Sequence, residues 1–580
     1  MASSGTLEPP AVVVHREPQA QGAQRAEGER SSSSRQGAQR AEGERSSSSR
    51  QGAQRAEGER SSSSRVARDA FVLALVLAAA VAAYRPLLAL GHLGWDTYPL
   101  ILTSRITSAA DLLGAFREEL MDGRYPNGHF YRPVTTLCFA LDHAVWGLEP
   151  SGYHLTDLLL LLACAIGVAA LGRRLLGPGI GPLVAALLFA LHPLHVETLP
   201  VAARRADTLA LLFTLIALLA SARWRARGEG KRGVSRARSE AQPSGVQEGE
   251  PSGVHSGLRT ALSALAAALA VGSKESGSVV VPLLIALGFA ESGPAPGGER
   301  LRRALRAGAL PLAAVGLVLL VRTAVLGGIG GHPGSSLFAG ASRGLAVGPL
   351  YTFLLLMPQP VVRDPTLARQ LVAATATALV IGLGLLARRP ALRRLLLVCG
   401  TWLLGCLWLA GVSGEIASWY AVGFLPAFSL LVGALAQGAA RWADERRRAA
   451  SALGAGLTVL LLAQALRFTP LLHAYPEWPL VSRRSHEFLV RVQAAVEHAA
   501  PGDVRSVPGI PLGIATPLDR VGVRSALGLA EYSVEAWAEL VLAGPPIVVT
   551  RPGGAAPSPS PRLDAIRIET TPDPEAGRLP

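Results

Sequence analysis

Apolar runs separated by short, Arg-rich connections fill most of the chain from residue 69 to residue 468. Several of these runs hold 16 to 22 consecutive residues with almost no charge, close to the roughly 20 residues that a membrane-spanning helix needs. A helix satisfies its own backbone hydrogen bonds in lipid, so the pattern predicts an all-α polytopic membrane protein. About eleven spans are predicted, at 69–91, 153–172, 180–196, 206–222, 258–273, 277–291, 307–326, 368–387, 394–412, 416–437 and 449–468.

One apolar run does not fit this series. Residues 345–357 form a stretch of about 13 residues, which is short for a complete span. Counting it as a span would also place the basic segment ARRPALRR on the side opposite to the other Arg-rich connections. We therefore expect a re-entrant or interfacial segment here.

The two ends of the chain differ from this apolar middle. Gln21–Arg65 is three copies of QGAQRAEGERSSSSR, which has almost no apolar residues to bury. We predict that residues 1–68 are a disordered tail with no cleavable signal peptide. Residues 469–580 combine two amphipathic helical patterns, a strand-like PPIVVT and a Pro- and Ser-rich end. We predict a small, partly disordered C-terminal region there.

Composition excludes an ordinary soluble enzyme, because 49% of the residues are hydrophobic and only 17% are charged. The net charge of +14 does not indicate nucleic-acid binding, since the Arg residues cluster between the apolar runs, where they orient spans. This distribution predicts a cytoplasmic N-terminus and, with an odd number of spans, an extracytoplasmic C-terminus. The preference for Arg over Lys and the simple repeat favour a GC-rich bacterial source and thus the inner membrane.

Asp96 lies just past the first predicted span, between Trp95 and Tyr98. The following segment SAADLLGAFREELMDG is amphipathic and predicts a helix on the membrane surface. A carboxylate between a span and a surface helix would lie in a cavity covered by that helix, and such a cavity would suit an amphiphilic substrate. The alternative is a solvated acid at the membrane interface.

A second group of polar residues, ALHPLHVETLPVAARRADTL, separates two apolar helices. His192, His195 and Glu197 could in principle hold a metal, but there is no HExxH motif and Pro193 breaks the helix that would align them. Hydrogen-bonding or phosphate-binding roles are favoured for the cluster. We predict no metal ligands, although a divalent metal cofactor remains an alternative.

Two isolated cations also stand out. Lysine occurs only at Lys231 and Lys274, and Lys274 lies between two apolar runs. Its ammonium could bind a phosphate oxygen, or it could be a snorkelling residue at the end of a span. Arg322, near the outer end of an apolar span, could bind a phosphate through two nitrogens or could anchor the helix at the interface.

The order of these motifs resembles the membrane part of GT-C glycosyltransferases. WDTYPLI, FYRPVTTLCFALDHAVWGLEP, HPLHVETLPVAARRADTLALLF, SKESGSVVVPLL, LLVRTAVLGG and GEIASWYAVGFLPAF, within about residues 93–440, are similar to protein O-mannosyltransferase-like proteins with tetratricopeptide repeats, and to their bacterial relatives. The resemblance implies a GT-C-like bundle at 69–468. It also implies sugar transfer, with inversion, from a polyprenyl-phosphate sugar to a protein or glycan acceptor on the extracytoplasmic side.

The resemblance also implies roles for individual residues. Asp96 matches the first-loop acid proposed to act as the catalytic general base or to position the acceptor, and cations would stabilise the leaving phosphate. The candidate phosphate-binding residues are Arg132, Arg204, Arg205, Lys274 and Arg322. The candidate substrate-positioning residues are Tyr131, His192, His195, Glu197 and Asp207.

Two departures from the family pattern separate this chain from its relatives. Relatives often have a second acid in the first loop, where this chain has Thr97, and residues 469–580 show no 34-residue tetratricopeptide period. The first departure bears on metal dependence. The rival interpretation is a membrane protein that is not an enzyme, either a transporter or flippase for lipid-linked saccharides or a degenerate scaffold.

Overall fold

The computed structural model describes residues 64, 66–123, 129–221, 253–293, 295–328, 330–356, 365–386, 390–514, 526–542, 544–552 and 565–573. Apart from residue 64, the predicted disordered repeats lie outside these residues, as do residues 223–238 between two predicted spans and most of the Pro- and Ser-rich end. The chain divides into two compact units, Met1–Phe71 and Val72–Pro580. The described residues of the first unit are helical, and every contact reported below lies within the second unit.

The described part of the membrane domain is helical. Its α-helices are α1 (66–84), α2 (Thr97–Thr103), α3 (Ala109–Gly114), α4 (Pro133–Trp146), α5 (Pro150–Leu176), α6 (Ile180–Leu191), α7 (Arg205–Ala220), α8 (Gly253–Ser273), α9 (Val280–Glu291), α10 (Gly297–Leu326), α11 (Gly340–Leu356), α12 (Pro365–Leu386), α13 (Pro390–Ser413), α14 (Leu425–Asp444) and α15 (Arg448–Arg467). Short 3₁₀ helices at Arg85–Ala89, Leu120–Gly123, Pro193–Glu197, Ala202–Arg204, Glu275–Val279 and Ser418–Phe424 connect several of them.

Seven helical segments among the described residues are long and apolar enough to cross a membrane. They are Val66–Ala89, Pro150–Leu176, Ile180–Glu197, Gly297–Leu326, Leu392–Ser413, Ser418–Asp444 and Arg448–Arg467. The multi-pass, all-helical class predicted for the membrane domain is confirmed. The count of about eleven spans stays a prediction, because several of the other apolar helices are shorter than a full span.

The membrane domain packs around two central helices. Most side chains of α6 and α14 are buried, and α14 contacts α5, α6, α13 and α15. Small residues allow the close approach: a Cβ added to Gly433 would lie 2.4 Å from the backbone oxygen of Gly181. Helices of a membrane protein associate through such close packing, so these two form the core on which the others lie.

One helix was not expected from the sequence. Helix α4 begins at Pro133, a residue favoured in the first turn of a helix, and ends at Gly147, which has a φ of 59°. At 14 residues it is too short for a complete span, so it does not stand out in the sequence as a long apolar run. The helix matters because Arg132 immediately precedes it.

The C-terminal region is an α/β unit. Helices α16 (Glu477–Glu497) and α17 (Glu531–Val541) pack with a parallel three-stranded sheet in the order β1 (Val504–Ser506), β5 (Ile566–Glu569) and β4 (Ile547–Thr550). Strands β2 (Gly513–Ile514) and β3 (Ala526–Leu527) form a separate antiparallel pair. Inward-facing residues of this sheet and of both helices make one apolar core. The predicted strand PPIVVT contributes residues to this core, and so do both predicted amphipathic segments.

Candidate functional site

A cavity of about 830 Å³ lies among helices α7, α9, α10 and α13. One part of its wall is charged and the rest is mainly apolar. Four of the predicted site residues line it: Arg132, Asp207, Lys274 and Arg322. They come from four separate segments of the chain, so the fold assembles the charged wall.

Glu275 joins two of these cations. Its Oε2 accepts a hydrogen bond from Nη2 of Arg132 at 2.9 Å, and its Oε1 accepts one from Nη1 of Arg322 at 3.0 Å. Burial alone would raise the pKa of Glu275, but the two guanidinium groups outweigh it and hold the pKa at about 2. The Glu275 side chain is 30% exposed, which leaves this bridge open to the cavity.

Lys274 forms a second ion pair beside this bridge. Its Nζ donates to Oδ2 of Asp207 at 2.6 Å and lies 4.9 Å from the ring centre of Tyr420. Burial lowers the pKa of Lys274 despite the neighbouring carboxylate. The five residues Arg132, Asp207, Lys274, Glu275 and Arg322 are called the cavity cluster below.

Local backbone geometry positions the cavity cluster. Arg132 precedes a proline, which disfavours helical backbone, and it adopts a non-helical φ of −139° and ψ of 60° just before α4. Lys274 has extended backbone, and the 3₁₀ turn after it packs back against α8. Gly277 permits that turn, because an added Cβ would lie 2.2 Å from the backbone oxygen of Ala270. The chain therefore leaves helical geometry where it presents these charges.

The apolar part of the cavity extends to the surface of the protein. Trp402, Leu409 and Phe424 line it, together with Leu319 and Phe338. Phe338 is fully exposed and Leu319 is also exposed. Large exposed apolar side chains on a multi-pass protein indicate contact with lipid. The cavity thus joins a charged wall to an apolar, outward-facing rim.

Asp96 lies outside the cavity lining but within the electrostatic field of its charged wall. The carboxylate is partly buried, and its Oδ1 accepts a hydrogen bond at 2.8 Å from the hydroxyl of Tyr532, in the C-terminal region. Burial raises the pKa of Asp96; this is opposed by Tyr532, Arg132 and His332 and reinforced by Glu415. Asp96 is therefore a carboxyl group whose proton affinity the surroundings have increased.

His332 and Glu415 contact each other near these groups. Nε2 of His332 lies 2.8 Å from Oε2 of Glu415, and the His332 ring packs edge-on against Phe130. The hydrogen bond from His332 lowers the pKa of Glu415. His332 lines the cavity, whereas Glu415 follows α13. The pair places an imidazole and a second carboxylate near Asp96.

The predicted HPLHVE cluster is buried behind this site. The Nε2 atoms of His192 and His195 lie 3.2 Å and 2.8 Å from the backbone oxygens of Leu355 and Phe189. These bonds satisfy backbone groups where α11 and α6 end. Neither histidine lines the cavity.

Glu197 and Arg204 stand in the same buried layer. Oε2 of Glu197 accepts a hydrogen bond from the Ser418 hydroxyl at 2.8 Å and lies 3.8 Å from Nη1 of Arg204. The Arg204 guanidinium stacks 3.8 Å from the ring centre of Trp419. Both residues are next to the segment that carries Glu415, outside the cavity lining.

Arg205 and Tyr131 are placed differently. Arg205 has a side-chain exposure of 0% and bridges Asp142 at 2.5 Å and Asp157 at 2.6 Å. Tyr131 is also buried, and its hydroxyl donates to the backbone oxygen of Phe116 at 3.1 Å. These contacts join helices and loops to one another, and neither side chain lines the cavity.

Sequence reasoning did not assign Glu275, Tyr532 or the pair of His332 and Glu415 to the site. A signal existed for Glu275, which is adjacent to the unusual Lys274 between two apolar runs. Tyr532 is 436 residues from Asp96, and no sequence spacing indicates that contact. Within the described segments, no group of three or more His, Cys, Asp and Glu residues could hold a metal ion.

Comparison with known proteins shows sequence similarity to protein O-mannosyl-transferases of animals. The chain is 44% identical over 89 residues to TMTC2 of Mus musculus, covering 15% of this chain and 11% of that protein. It is 30% identical over 147 residues to Tmtc1 of Drosophila melanogaster, covering 24% of this chain and 17% of that protein. The resemblance predicted from the sequence motifs is confirmed. No family model matches the chain.

The chain thus spans less than a fifth of the length of these relatives. Among solved structures, the archaeal oligosaccharyltransferase AglB from Archaeoglobus fulgidus has a TM-score of 0.43 at 10% identity, covering 72% of this chain and 58% of that chain. ArnT from Cupriavidus metallidurans has a TM-score of 0.41 at 14% identity, covering 82% of this chain and 85% of that chain. Neither structural likeness bears on the activity of this chain.

Proposed function

We propose that this protein is a membrane glycosyltransferase that uses a polyprenyl-phosphate sugar as donor. The observation that carries the proposal is the cavity, which combines a cationic wall with an apolar rim open to lipid. A polyprenyl-phosphate sugar has the matching parts, an anionic phosphate and a long hydrocarbon chain. Similarity to protein O-mannosyl-transferases supports the same class of reaction.

The phosphate would bind between Arg132, Arg322 and Lys274. Each of these cations contacts a carboxylate of the cavity cluster, but three cations share two carboxylates, so one positive charge is left for the donor phosphate. A phosphate oxygen would take the place of a Glu275 oxygen on at least one guanidinium. Charge-assisted hydrogen bonds of this kind are strong and directional, and the same cations would stabilise the leaving phosphate as negative charge develops.

Asp96 is the proposed general base. A hydroxyl oxygen of the acceptor would attack the anomeric carbon from the side opposite to the phosphate. The bond between that carbon and the phosphate oxygen breaks, the hydroxyl proton passes to Asp96, and polyprenyl phosphate leaves. The configuration at the anomeric carbon is inverted. A carboxylate whose pKa is raised by burial is a better proton acceptor than an ordinary aspartate.

Arg204, Glu197, His192 and His195 have a supporting role in this proposal. Arg204 and Glu197 hold the segment of Ser418 and Trp419 that follows Glu415. The two histidines bond to backbone oxygens near the ends of α11 and α6. Arg205 and Tyr131 hold the surrounding helices and loops. The proposal keeps the orientation predicted from the Arg-rich connections, with Asp96 and the C-terminus on the extracytoplasmic side of an inner membrane. The sugar would be a hexose such as mannose, and the acceptor a protein or a glycan.

The direct test uses purified protein in lipid nanodiscs with radiolabelled polyprenyl-phosphate hexoses. We expect label to pass to an acceptor, and the Asp96→Asn variant to lose about 100- to 10,000-fold in kcat. Asp111→Asn is the matched control, because Asp111 caps the short helix α3 and does not line the cavity. Full turnover by Asp96→Asn would remove Asp96 from the mechanism. Transport of donor lipid without any transfer would favour the flippase interpretation.

A further inference from the structure

The loop that carries Asp96 is held mainly by the C-terminal region. The backbone N–H of Gly94 donates to the backbone oxygen of Gly528 at 3.1 Å, and that of Gly91 donates to the Ser482 hydroxyl at 2.9 Å. Nε1 of Trp95 donates to the backbone oxygen of Leu512 at 2.8 Å. Three separate segments of the C-terminal region therefore fix the backbone around Asp96.

The first turn of α17 adds contacts at Asp96 itself. The Tyr532 hydroxyl donates to Oδ1 of Asp96 at 2.8 Å, and the Ser533 hydroxyl donates to the backbone oxygen of Trp95. The same Ser533 hydroxyl accepts a hydrogen bond from the N–H of Ala530, which caps the helix. The two hydrogen bonds of the Ser533 hydroxyl thus fix the helical turn that carries Tyr532.

Packing makes this contact rigid. Helix α17 lies against α2, which begins directly after Asp96. Tyr98 of α2 packs on the apolar core of the C-terminal region, and Leu540 of α17 packs on the cluster around Leu100 and Ile101. Since each helix buries side chains in the core of the other, movement of α17 would move the Asp96 loop with it.

We propose that Tyr532 is a positioning residue for Asp96, holding Oδ1 so that Oδ2 faces the acceptor hydroxyl. This inference rests on the proposed function, in which Asp96 is the base. The C-terminal region then completes the active site. In the family that this chain resembles, tetratricopeptide repeats follow the membrane domain instead. A hydroxyl that donates to one oxygen also favours the ionised carboxylate, which is the form that accepts a proton.

Other ionisable groups influence Asp96 electrostatically from the elements around it. They are Arg132 before α4, Arg204 before α7, His332 in the connection after α10 and Glu415 after α13. Removal of the Tyr532 hydroxyl leaves all four in place. A change in the titration of Asp96 in a Tyr532→Phe variant would therefore report the loss of this one hydrogen bond.

The test compares wild type, Tyr532→Phe, Asp96→Asn and the double variant in nanodiscs. We expect Tyr532→Phe to lower kcat about tenfold, to move the acidic limb of the pH profile upward by roughly half a unit to one unit, and to leave the donor KM unchanged. In the Asp96→Asn background the same change should have no further effect on kcat. Tyr98→Phe is the matched control, since it removes a hydroxyl at the same interface that is not bonded to Asp96.

A measurement that needs no turnover complements these kinetics. The Tyr532 hydroxyl should raise the melting temperature more at high pH, where an ionised Asp96 accepts its hydrogen bond, than at low pH, where Asp96 is protonated. This pH dependence should vanish in the Asp96→Asn background. An unchanged pH profile, or an equal loss of kcat in both backgrounds, would overturn the inference. If Asp96→Asn does not lower kcat, the proposed role of Asp96 as base is overturned. If Asp96→Asn is inactive but Tyr532→Phe is fully active, only the proposed role of Tyr532 is overturned.

Discussion

The buried triad around Arg205 and the cavity cluster are both groups of charged side chains within the helical bundle, and they differ in their access to solvent. In the buried triad of Arg205, Asp142 and Asp157, the arginine side chain has an exposure of 0% and the two carboxylates are at most 5% exposed. In the cavity cluster, Glu275 has the same type of bridging contact to two arginines but is 30% exposed. The first group is sealed by helices, whereas the second faces a cavity.

This difference separates a structural role from a binding role. A sealed ion pair cannot exchange a partner without leaving a charge in a medium of low polarity, which is costly. An ion pair at the wall of a cavity can exchange its carboxylate for a ligand phosphate, because the incoming group supplies the same charge. Both groups contain a side chain that bridges two partners of opposite charge, and access to the cavity is what separates their roles.

The largest expected effect is on the buried triad. Arg205→Met should lower the free energy of unfolding by about 3–5 kcal/mol, because Asp142 and Asp157 lose the cation that both of them contact. Thermal unfolding in detergent measures this loss. The triple variant Arg205→Met, Asp142→Asn, Asp157→Asn should recover much of the stability. An Arg205→Met protein as stable as wild type would remove the distinction between the two groups.

A smaller effect is expected at the cavity cluster. Arg322→Gln should raise the donor KM roughly 10- to 100-fold, which corresponds to one lost charge-assisted hydrogen bond, and should change the melting temperature far less than Arg205→Met does. Steady-state kinetics with varied donor measures the first quantity. Arg303→Gln is the control, because Arg303 pairs with Glu299 away from the cavity. Unchanged donor KM would exclude Arg322 from phosphate binding.

The smallest effect tests whether Glu275 occupies the phosphate position. Glu275→Gln removes the carboxylate shared by Arg132 and Arg322, so the protein without donor should melt a few degrees lower. Polyprenyl phosphate should bind about three- to tenfold more tightly and raise the melting temperature more than it does in wild type. Titration calorimetry in nanodiscs measures the affinity, with Glu299→Gln as control. Weaker binding by Glu275→Gln would show that Glu275 assists the phosphate instead of competing with it.

The apolar pattern was sufficient to predict the membrane class and many of the helices, since the length and hydropathy of a span are local properties. It was insufficient for α4, which is short, and for the number of complete spans. The motifs HPLHVE and VAARRAD also led to the prediction of His192, His195 and Arg205 as site residues. The structure uses these side chains to join helix ends and to bridge acids, roles that are not visible in the motif itself.

Arg204 and Arg205 illustrate this limit most directly. They are adjacent in the sequence and were predicted to do the same thing, yet one stacks on Trp419 beside Glu197 and the other is sealed between two aspartates. Successive residues at a helix start point in directions about 100° apart, so their surroundings are set by whichever helices pack on each side.

The sequence by itself determined that this is a multi-pass helical protein, that its chain resembles protein O-mannosyl-transferases, and that Asp96, Lys274 and Arg322 lie at the ends of apolar runs. Tertiary structure alone decided which charges share a cavity, that Glu275 bridges two of them, and that Tyr532 reaches Asp96. The physical reason is that hydropathy acts over neighbouring residues, whereas an ion pair or a hydrogen bond forms between atoms a few ångströms apart that the chain separates by up to 436 residues.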